Sequence, residues 1–393
     1  MALTKLIDIC SKIGSGATPK GGKEAYCEKG ISLVRSQNIL DFSFSCDGLA
    51  HITEEQAEKL SNVELKENDV LLNITGDSVA RACTMDAQYL PARVNQHVAI
   101  IRGNADKVLN SFLLYFLQWR KGFLLQLASA GATRNALTKG MIEQLEIDLP
   151  PLEQQERVVS ILNALQAKMK NNQQINDNLY EMVNTYYTSL FKNAGYEITT
   201  VGSYAKRIYS GGTPTTSNAA YWDGPFSWFS SGETRNHFVI STEKAITQAG
   251  IDNSSTKLAK KHDIVMASAG QGFTRGQTSM LLLNTYVNQS VIVIHAERNV
   301  LPYLFWNLTN RYNELRAISD SSSIRGSLTT KMISAFKIPL ADEESLQAFT
   351  DFAWSIIPQI ENNLLENECL AVMRDSLLPK LMSGEIDVSS IQL

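Results

Sequence analysis

"SGATP", residues 15–19, returns as "SGGTP" at residues 210–214. The first copy sits among glycines and lysines and invites reading as a phosphate-binding loop. That reading fails on detail. Gly16 and Gly21 have the right separation, but Gly22 stands where a nucleotide loop needs lysine, and Lys23–Glu24 follow in place of Ser or Thr. The second copy has no lysine at all. The informative property is the repetition, and it extends outward on both sides. "KLIDICSKIGSGATP" (5–19) aligns with "TVGSYAKRIYSGGTP" (200–214) at an offset of 195, which also places Tyr26 on Tyr221. "ENDVLLNITGDSVARACT" (67–84) aligns with "KHDIVMASAGQGFTRGQT" (261–278) at 194, "VNQHVAII" (94–101) with "VNQSVIVI" (287–294) at 193, and "TRNALTKGMI" (133–142) with "IRGSLTTKMI" (324–333) at 191. The order is kept while the offset drifts as loop insertions make it drift. The period far exceeds the 20–50 residues of a solenoid unit, so a whole domain is duplicated.

Each copy opens with short β-branched runs, "DVLLNI", "HVAIIR", "DIVMAS" and "SVIVIH", bounded by Gly, Asp and Asn, which read as strands. A helical stretch follows at 111–129 and at 301–319. The fold class expected is α+β: two tandem α/β recognition-type domains separated by a two-helix antiparallel coiled coil, with a pseudo-two-fold internal repeat. The boundaries are 1–150 for the first domain, 151–195 for a central long helix, 196–341 for the second domain, and 342–393 for a C-terminal long helix and tail.

The helices are read from 152–191, which contains no Gly or Pro. Val158, Leu165, Asn172, Leu179 and Tyr186 recur at heptad spacing, with Ile161, Ile175 and Met182 at the companion positions. Pro150 and Pro151 followed by Glu153 and Glu156 suit a helix start, and Lys192 and Gly195 suit its end. The second copy repeats the seam as Phe349, Ile356, Asn363, Leu370 and Leu377, with Asp342 as the N-cap. Pro358 lies inside it, off the seam, and predicts a kink without a break. Asn172 and Asn363 occupy equivalent positions near the helix midpoints. Antiparallel packing about a pseudo-two-fold axis is expected to bring them together and fix the register of the pair.

Composition narrows the functional classes. The chain of 393 residues is 44% hydrophobic and 19% charged, which is globular. No apolar run reaches the ~18 residues of a membrane span. Five cysteines (Cys10, Cys27, Cys46, Cys83, Cys369) show no metal spacing and suit reduced thiols in a cytoplasmic protein. The net charge of −4 hides an uneven distribution. Residues 196–340 carry +5 while residues 341–393 carry −8, so the domains can still present basic surfaces. No GxSxG elbow, HExxH pairing or dinucleotide fingerprint is present, and "GQGFTRG" (270–276) reads as a strand-end loop. Asp69 and Asp263 precede strands and read as turn formers. Neither a catalytic nor a metal site is expected.

A duplicated chain without an active site suits a reader of duplex DNA, whose local two-fold symmetry it shares. The chain resembles the specificity subunits of type I restriction–modification enzymes. The residues that carry the resemblance are "SGATP" and "SGGTP", "YWDGPFSWFSSGE" (221–233), "ITQAGIDNSSTKL" (246–258), the "VNQ" strands, "LPPLEQQERVVSILNALQAKM" (149–169) and "LLPKLMSGEIDV" (377–388). The first copy departs from the pattern at "YCEKGISLVRSQN" (26–38), where aromatic residues are usual. The resemblance implies a non-catalytic subunit whose two recognition domains read a bipartite double-stranded site. It also implies two modification (methyltransferase) subunits and the restriction (translocase/nuclease) subunits as partners. S-adenosylmethionine, ATP and Mg2+ then belong to those partners, with no cofactor in this chain. A lone enzyme and a helix-pairing adaptor that never meets DNA are the competing readings.

Residue type in the expected loops selects the DNA-contacting candidates, since Arg suits guanine, Asn and Gln suit adenine, and Lys, Ser and Thr position phosphate. They are Lys20, Arg35, Thr75, Arg81, Arg134 and Asn135 in the first domain, and Thr215, Arg235, Gln271, Arg275 and Arg325 in the second. Arg81/Arg275 and Arg134/Arg325 recur in both copies, which suggests a shared grip on phosphate.

Overall fold

The computed structural model describes residues 3–130, 135–191, 197–270, 274–321 and 326–391. The chain forms two compact units, residues 168–369 and residues 1–167 together with 370–393. The sequence-contiguous division misses one feature of this arrangement. The C-terminal tail belongs to the first unit, where Leu378, Leu381, Met382 and Val388 are buried in the same core as Phe112, Phe116 and Leu162.

In the first unit the strands Cys10–Ser15, Val98–Gly103, Val70–Asn73 and Ala82–Thr84 form an antiparallel sheet in that order. Its middle strands, Val98–Gly103 and Val70–Asn73, are buried on both faces for most of their length, and the two-residue side-chain period divides their residues between two cores. Val70, Leu72 and Ile101 point to the helices, whereas Leu71 and Ile100 point to Val34 and Val94. The latter two belong to a second, three-stranded sheet in which Ile31–Val34 pairs antiparallel with Ala50–Ile52 and parallel with Ala92–Val94. The strand Leu3–Lys5 pairs with Glu146–Asp148 and brings the two ends of the domain together.

The second unit repeats this plan. Ala205–Ser210, Val291–Ala296, Ile264–Ala267 and Thr278–Leu281 keep the same order, extended by Phe238–Val239. Ile198–Thr200 closes on Lys337–Pro339 as Leu3–Lys5 does on Glu146–Asp148. The departure noted at 26–38 has a structural counterpart. The four-residue strand Ile31–Val34 stands where the second unit has the eight-residue strand Trp222–Phe229. Asp69 and Asp263 are turn formers, accepting from the backbone N–H of Lys66 (2.7 Å) and Lys260 (2.9 Å). Each also binds a neighbouring strand, Asp69 through Arg102 Nε and Nη2 (both 2.6 Å) and Asp263 through His295 Nδ1 (2.6 Å).

The long helices are Leu152–Phe191 and Glu343–Met382, of 40 residues each. Asp342 caps the second by accepting from Ser345 N–H (2.8 Å), and the helix continues through Pro358. Within the second unit the two run antiparallel. Asn172 Nδ2 donates to Asn367 Oδ1 (2.9 Å) and Glu366 Oε2 (2.7 Å), and Asn363 Nδ2 donates to Asn176 Oδ1 (2.8 Å). This corrects the expected Asn172–Asn363 contact by one helical turn. Asn176 is the repeat equivalent of Asn367, so the two bonds exchange under the pseudo-two-fold, whose axis falls between them and not on an asparagine. The seam also departs from strict heptads. Met182, placed at a companion position, is 43% exposed, while Asn176, Val183 and Tyr187 are buried. A helix of 3.6 residues per turn drifts about 20° per heptad, which carries the buried stripe onto positions four residues apart.

Candidate nucleic-acid interface

The repeated turn has the same partner in both units. Gly16 N–H donates to Asn95 C=O (3.1 Å), and Gly211 N–H donates to Asn288 C=O (3.3 Å). Here lies the reason for glycine. A Cβ at position 16 would meet the Val94 carbonyl oxygen at 1.8 Å, and one at 211 would meet that of Val287 at 1.9 Å. The partner is the "VNQ" turn, whose buried asparagine accepts from the backbone two residues on, His97 N–H (2.9 Å) or Ser290 N–H (3.0 Å). The threonines of "SGATP" and "SGGTP" donate their hydroxyls to Gln96 Oε1 and Gln289 Oε1. Backbone packing therefore accounts for the turn without any phosphate, and each unit presents an exposed glutamine at its tip.

Two further segments join this end of the sheet. Ile74 N–H donates to His97 C=O (3.0 Å) and Leu137 N–H to Ile74 C=O (2.8 Å). In the second unit Ser268 makes the equivalent bonds with Ser290 and Leu328, both 2.8 Å. Thr75 and Asn135 thus converge with Gln96, since Gly76 N–H also donates to Asn135 C=O (3.3 Å). In the first unit the side chains form a relay. His97 Nδ1 lies 2.6 Å from Thr75 Oγ1, and His97 Nε2 lies 3.1 Å from Gln96 Nε2. An amide nitrogen only donates, so His97 Nε2 accepts and the imidazole proton sits on Nδ1, aimed at Thr75.

The other sequence candidates fall in different surroundings. Lys20 and Thr215 are exposed just beyond the repeated turns. Arg35 is half-buried, with its guanidinium donating to Gly48 C=O and lying 5.3 Å from the Tyr26 ring centre. Arg81 closes the 75–81 loop through its backbone. Arg235 lines a cleft of about 700 Å³ whose walls also carry Asp177, Glu181, Glu233 and Glu243. His237 of the same cleft stacks on Tyr180 at 4.2 Å, and burial lowers its pKa and favours the neutral ring. Arg134, Gln271 and Arg325 lie outside the described residues.

Arg275 requires a correction. It is 8% exposed, and its guanidinium donates to Gly326 C=O (2.6 Å) and to the Asp320 carboxylate. A buried guanidinium must be paired, and this one is consumed within the fold instead of being offered to phosphate. Arg275→Ala is expected to destabilise the second unit by about 1–3 kcal/mol in denaturant titration. The salt dependence of DNA binding should be unchanged, and a shallower salt slope would return Arg275 to the interface.

Sequence reasoning does not select Thr18 and Gln96 or their counterparts Thr213 and Gln289, although the repeated "VNQ" points to them, and His97, which aligns with Ser290, reads from the sequence as a satisfied strand histidine. It also leaves unnamed the residues of a basic surface on the second unit, which the +5 charge of residues 196–340 allows. Arg207 and Lys257 are both exposed and lie 4.5 and 5.9 Å from the Tyr209 ring centre. Burial raises the Tyr209 pKa to about 12, and its hydroxyl donates to Leu258 C=O (2.7 Å), holding the ring as a platform. Neighbouring Lys206 is paired with Glu297.

Among the described residues no group of three or more His, Cys, Asp or Glu is placed to hold a metal, and no helix is long and apolar enough to cross a membrane. Burial raises the thiols of Cys10 and Cys83 to about 12, so neither is a ready nucleophile.

The family model for the type I restriction modification DNA specificity domain matches residues 2–181 and again residues 195–367. The specificity subunit of the EcoR124I/EcoR124II type I restriction enzyme of Escherichia coli is 27% identical over 165 residues, 41% of each chain. That of the MjaIX enzyme of Methanocaldococcus jannaschii is 20% identical over 411 aligned positions, covering 98% of this chain and 94% of the relative. Among solved structures, the type I restriction–modification S subunit from M. genitalium superposes with a TM-score of 0.58 at 14% identity, covering 97% of this chain and 96% of that one.

Proposed function

Since the chain belongs to the type I restriction modification DNA specificity family, with the family domain present twice, we propose that it supplies the DNA address of such a complex. Each unit reads one half of a bipartite duplex site, and the paired helices set the number of unread base pairs between the halves. The single observation that best supports this is the repetition, in both units, of one loop end built from the Gly-Thr-Pro turn and the Val-Asn-Gln turn. A duplicated reading head matches the two-fold symmetry of duplex DNA. The chain is non-catalytic on this reading and works in the cytoplasm. Two modification subunits and the restriction subunits assemble on it, bringing S-adenosylmethionine, ATP and Mg2+ with them. Arg207 and Lys257 act on phosphate, the sequence-independent part of affinity, while the loop end reads bases.

The test is a methylation map made with the assembled complex. A bipartite target is expected, and matched insertions in Leu152–Phe191 and Glu343–Met382 should widen its gap. A continuous target, or a gap indifferent to helix length, contradicts the reading. The joint variant Arg207→Ala, Lys257→Ala is expected to lower the slope of log K against log salt by about two, near 0.9 per phosphate contact. The target sequence should not change. Lys206→Ala, whose charge is already paired, is the control expected to leave the slope alone.

A further inference from the structure

The two units hold the same threonine–glutamine contact but surround it with different chemistry. Thr18–Gln96 and Thr213–Gln289 are equivalent. At the next two positions the copies diverge, with His97 replaced by Ser290 and Thr75 by Ala269. A contact common to both units serves a task common to both. A diverged pair at the same place serves what differs between them, and on the proposed function that is the base sequence of the half-site. We propose that Gln96 and Thr75 are base-reading residues of the first unit, positioned by Thr18 and His97, and that they select a guanine in the first half-site.

The choice of guanine follows from proton bookkeeping. Gln96 Oε1 accepts from the Thr18 hydroxyl, and one hydrogen of Gln96 Nε2 goes to His97 Nε2 (3.1 Å). His97 Nδ1–H donates to Thr75 Oγ1 (2.6 Å). Among the described residues, the hydrogens left to point outward are the second Gln96 N–H and the Thr75 O–H, while Gln96 Oε1 and Thr75 Oγ1 each keep one lone pair. Gln96 is exposed, and Thr75 and His97 are half-buried, so the pair faces solvent while the relay behind it stays fixed. A reading edge that offers donors suits a base edge that offers acceptors, and guanine presents O6 and N7 together in the major groove. The second unit lacks the hydroxyl of Thr75 and the imidazole. Gln289 therefore keeps both amide hydrogens, and the Ser290 hydroxyl can donate or accept. Its half-site requirement must differ.

The inference rests on the proposed function, and one experiment separates their fates. Methylation maps are made with this chain assembled with its modification subunits, as wild type, as Thr75→Ala with His97→Ser, and as Ala269→Thr with Ser290→His. The first pair of changes should lower the preference for guanine at one position about tenfold, leaving the other half-site and the gap intact. The second pair should change the other half only. Thr75→Ser, which keeps the hydroxyl, should retain the wild-type requirement. Maps unaltered by the paired changes, changed in both halves at once, or changed at a position that never required guanine overturn the inference. A wild-type complex that methylates no bipartite site overturns the proposed function instead. Loss of all methylation by Thr75→Ala with His97→Ser, together with retention by Thr75→Ser, would show that the hydroxyl is needed for binding and not for choice, and would also overturn the inference.

Discussion

Gly211→Ala is expected to cost the second unit about 3 kcal/mol and to abolish site-specific binding by the assembled complex. The added Cβ would lie 1.9 Å from the Val287 carbonyl oxygen, 2.7 Å from its carbon and 2.8 Å from Val287 Cγ2. Such contacts are relieved only by moving backbone, and the backbone on both sides is tied. Gly211 N–H donates to Asn288 C=O, Gly212 N–H donates to Val287 C=O (3.1 Å), and Asn288 N–H donates to Phe229 C=O (3.1 Å). Val287 is held on both edges, paired with Phe229 and with Lys257. Overpacking in a yielding core costs about 1–3 kcal/mol, and a site this constrained stands at the upper end. Retreat of the turn would also withdraw Thr213 from Gln289, so function falls with stability. Denaturant titration of Gly211→Ala against Gly14→Ala checks the argument. At Gly14 the nearest atom to an added Cβ is the flexible Lys12 Cε at 3.8 Å, and little change is expected there. Equal stability of the two variants would show that the turn does not need its glycine.

The sequence made the duplication legible because both copies solve the same packing problem. A turn lying on a strand end leaves no room for Cβ, so the Gly survives in both, and the threonine keeps its glutamine. The alternation in "DVLLNI" and "HVAIIR" likewise exposed the central strands, since one period assigns residues to two cores. What stayed hidden depends on distance in space. Nothing in "SGEIDV" announces that Val388 is buried in a core built largely from residues 6–162. Nor does its sequence show that Arg157 Nη1 donates to Val388 C=O (3.1 Å). Arg275 looked like a loop arginine because its partners, Asp320 and Gly326, lie 45 and 51 residues further on. The asparagine register slipped by a turn for a different reason. Helix ends locate a midpoint only roughly, whereas the axis is located by which side chains interlock. Asn172 holds Glu366 below the usual carboxylate range, first through its own amide bond and then with Lys168. The register therefore has a charged component that no heptad pattern reveals.

Phe349→Ala should be the most damaging single truncation in the second long helix, costing the second unit about 4 kcal/mol. Phe349 is fully buried where three parts of that unit meet. From the first long helix come Tyr186, Tyr187 and Phe191, with ring centres 6.2, 5.5 and 5.8 Å away, and from the domain comes Trp306 at 5.9 Å. Three of these four contacts are edge-to-face, with interplanar angles of 69°, 88° and 82°, the arrangement favoured by ring quadrupoles. Truncation removes apolar contact and leaves a cavity whose walls cannot close, because Tyr187 is also held by Asn307 Nδ2 (2.8 Å), and Tyr187 and Phe191 both pack on Tyr303, which donates to Pro339 C=O (2.6 Å). Leu365→Ala on the same helix, at a position 43% exposed, should cost less than 1 kcal/mol. The comparison separates loss of packing from loss of helix propensity, since alanine is the better helix former at both sites. Equilibrium unfolding followed by tryptophan fluorescence measures both. A Phe349→Ala variant as stable as Leu365→Ala would mean that the aromatic cluster does not clamp the helices to the domain. A large loss confined to Phe349 ties the stability of the reading head to the same residue that seats the helices against it.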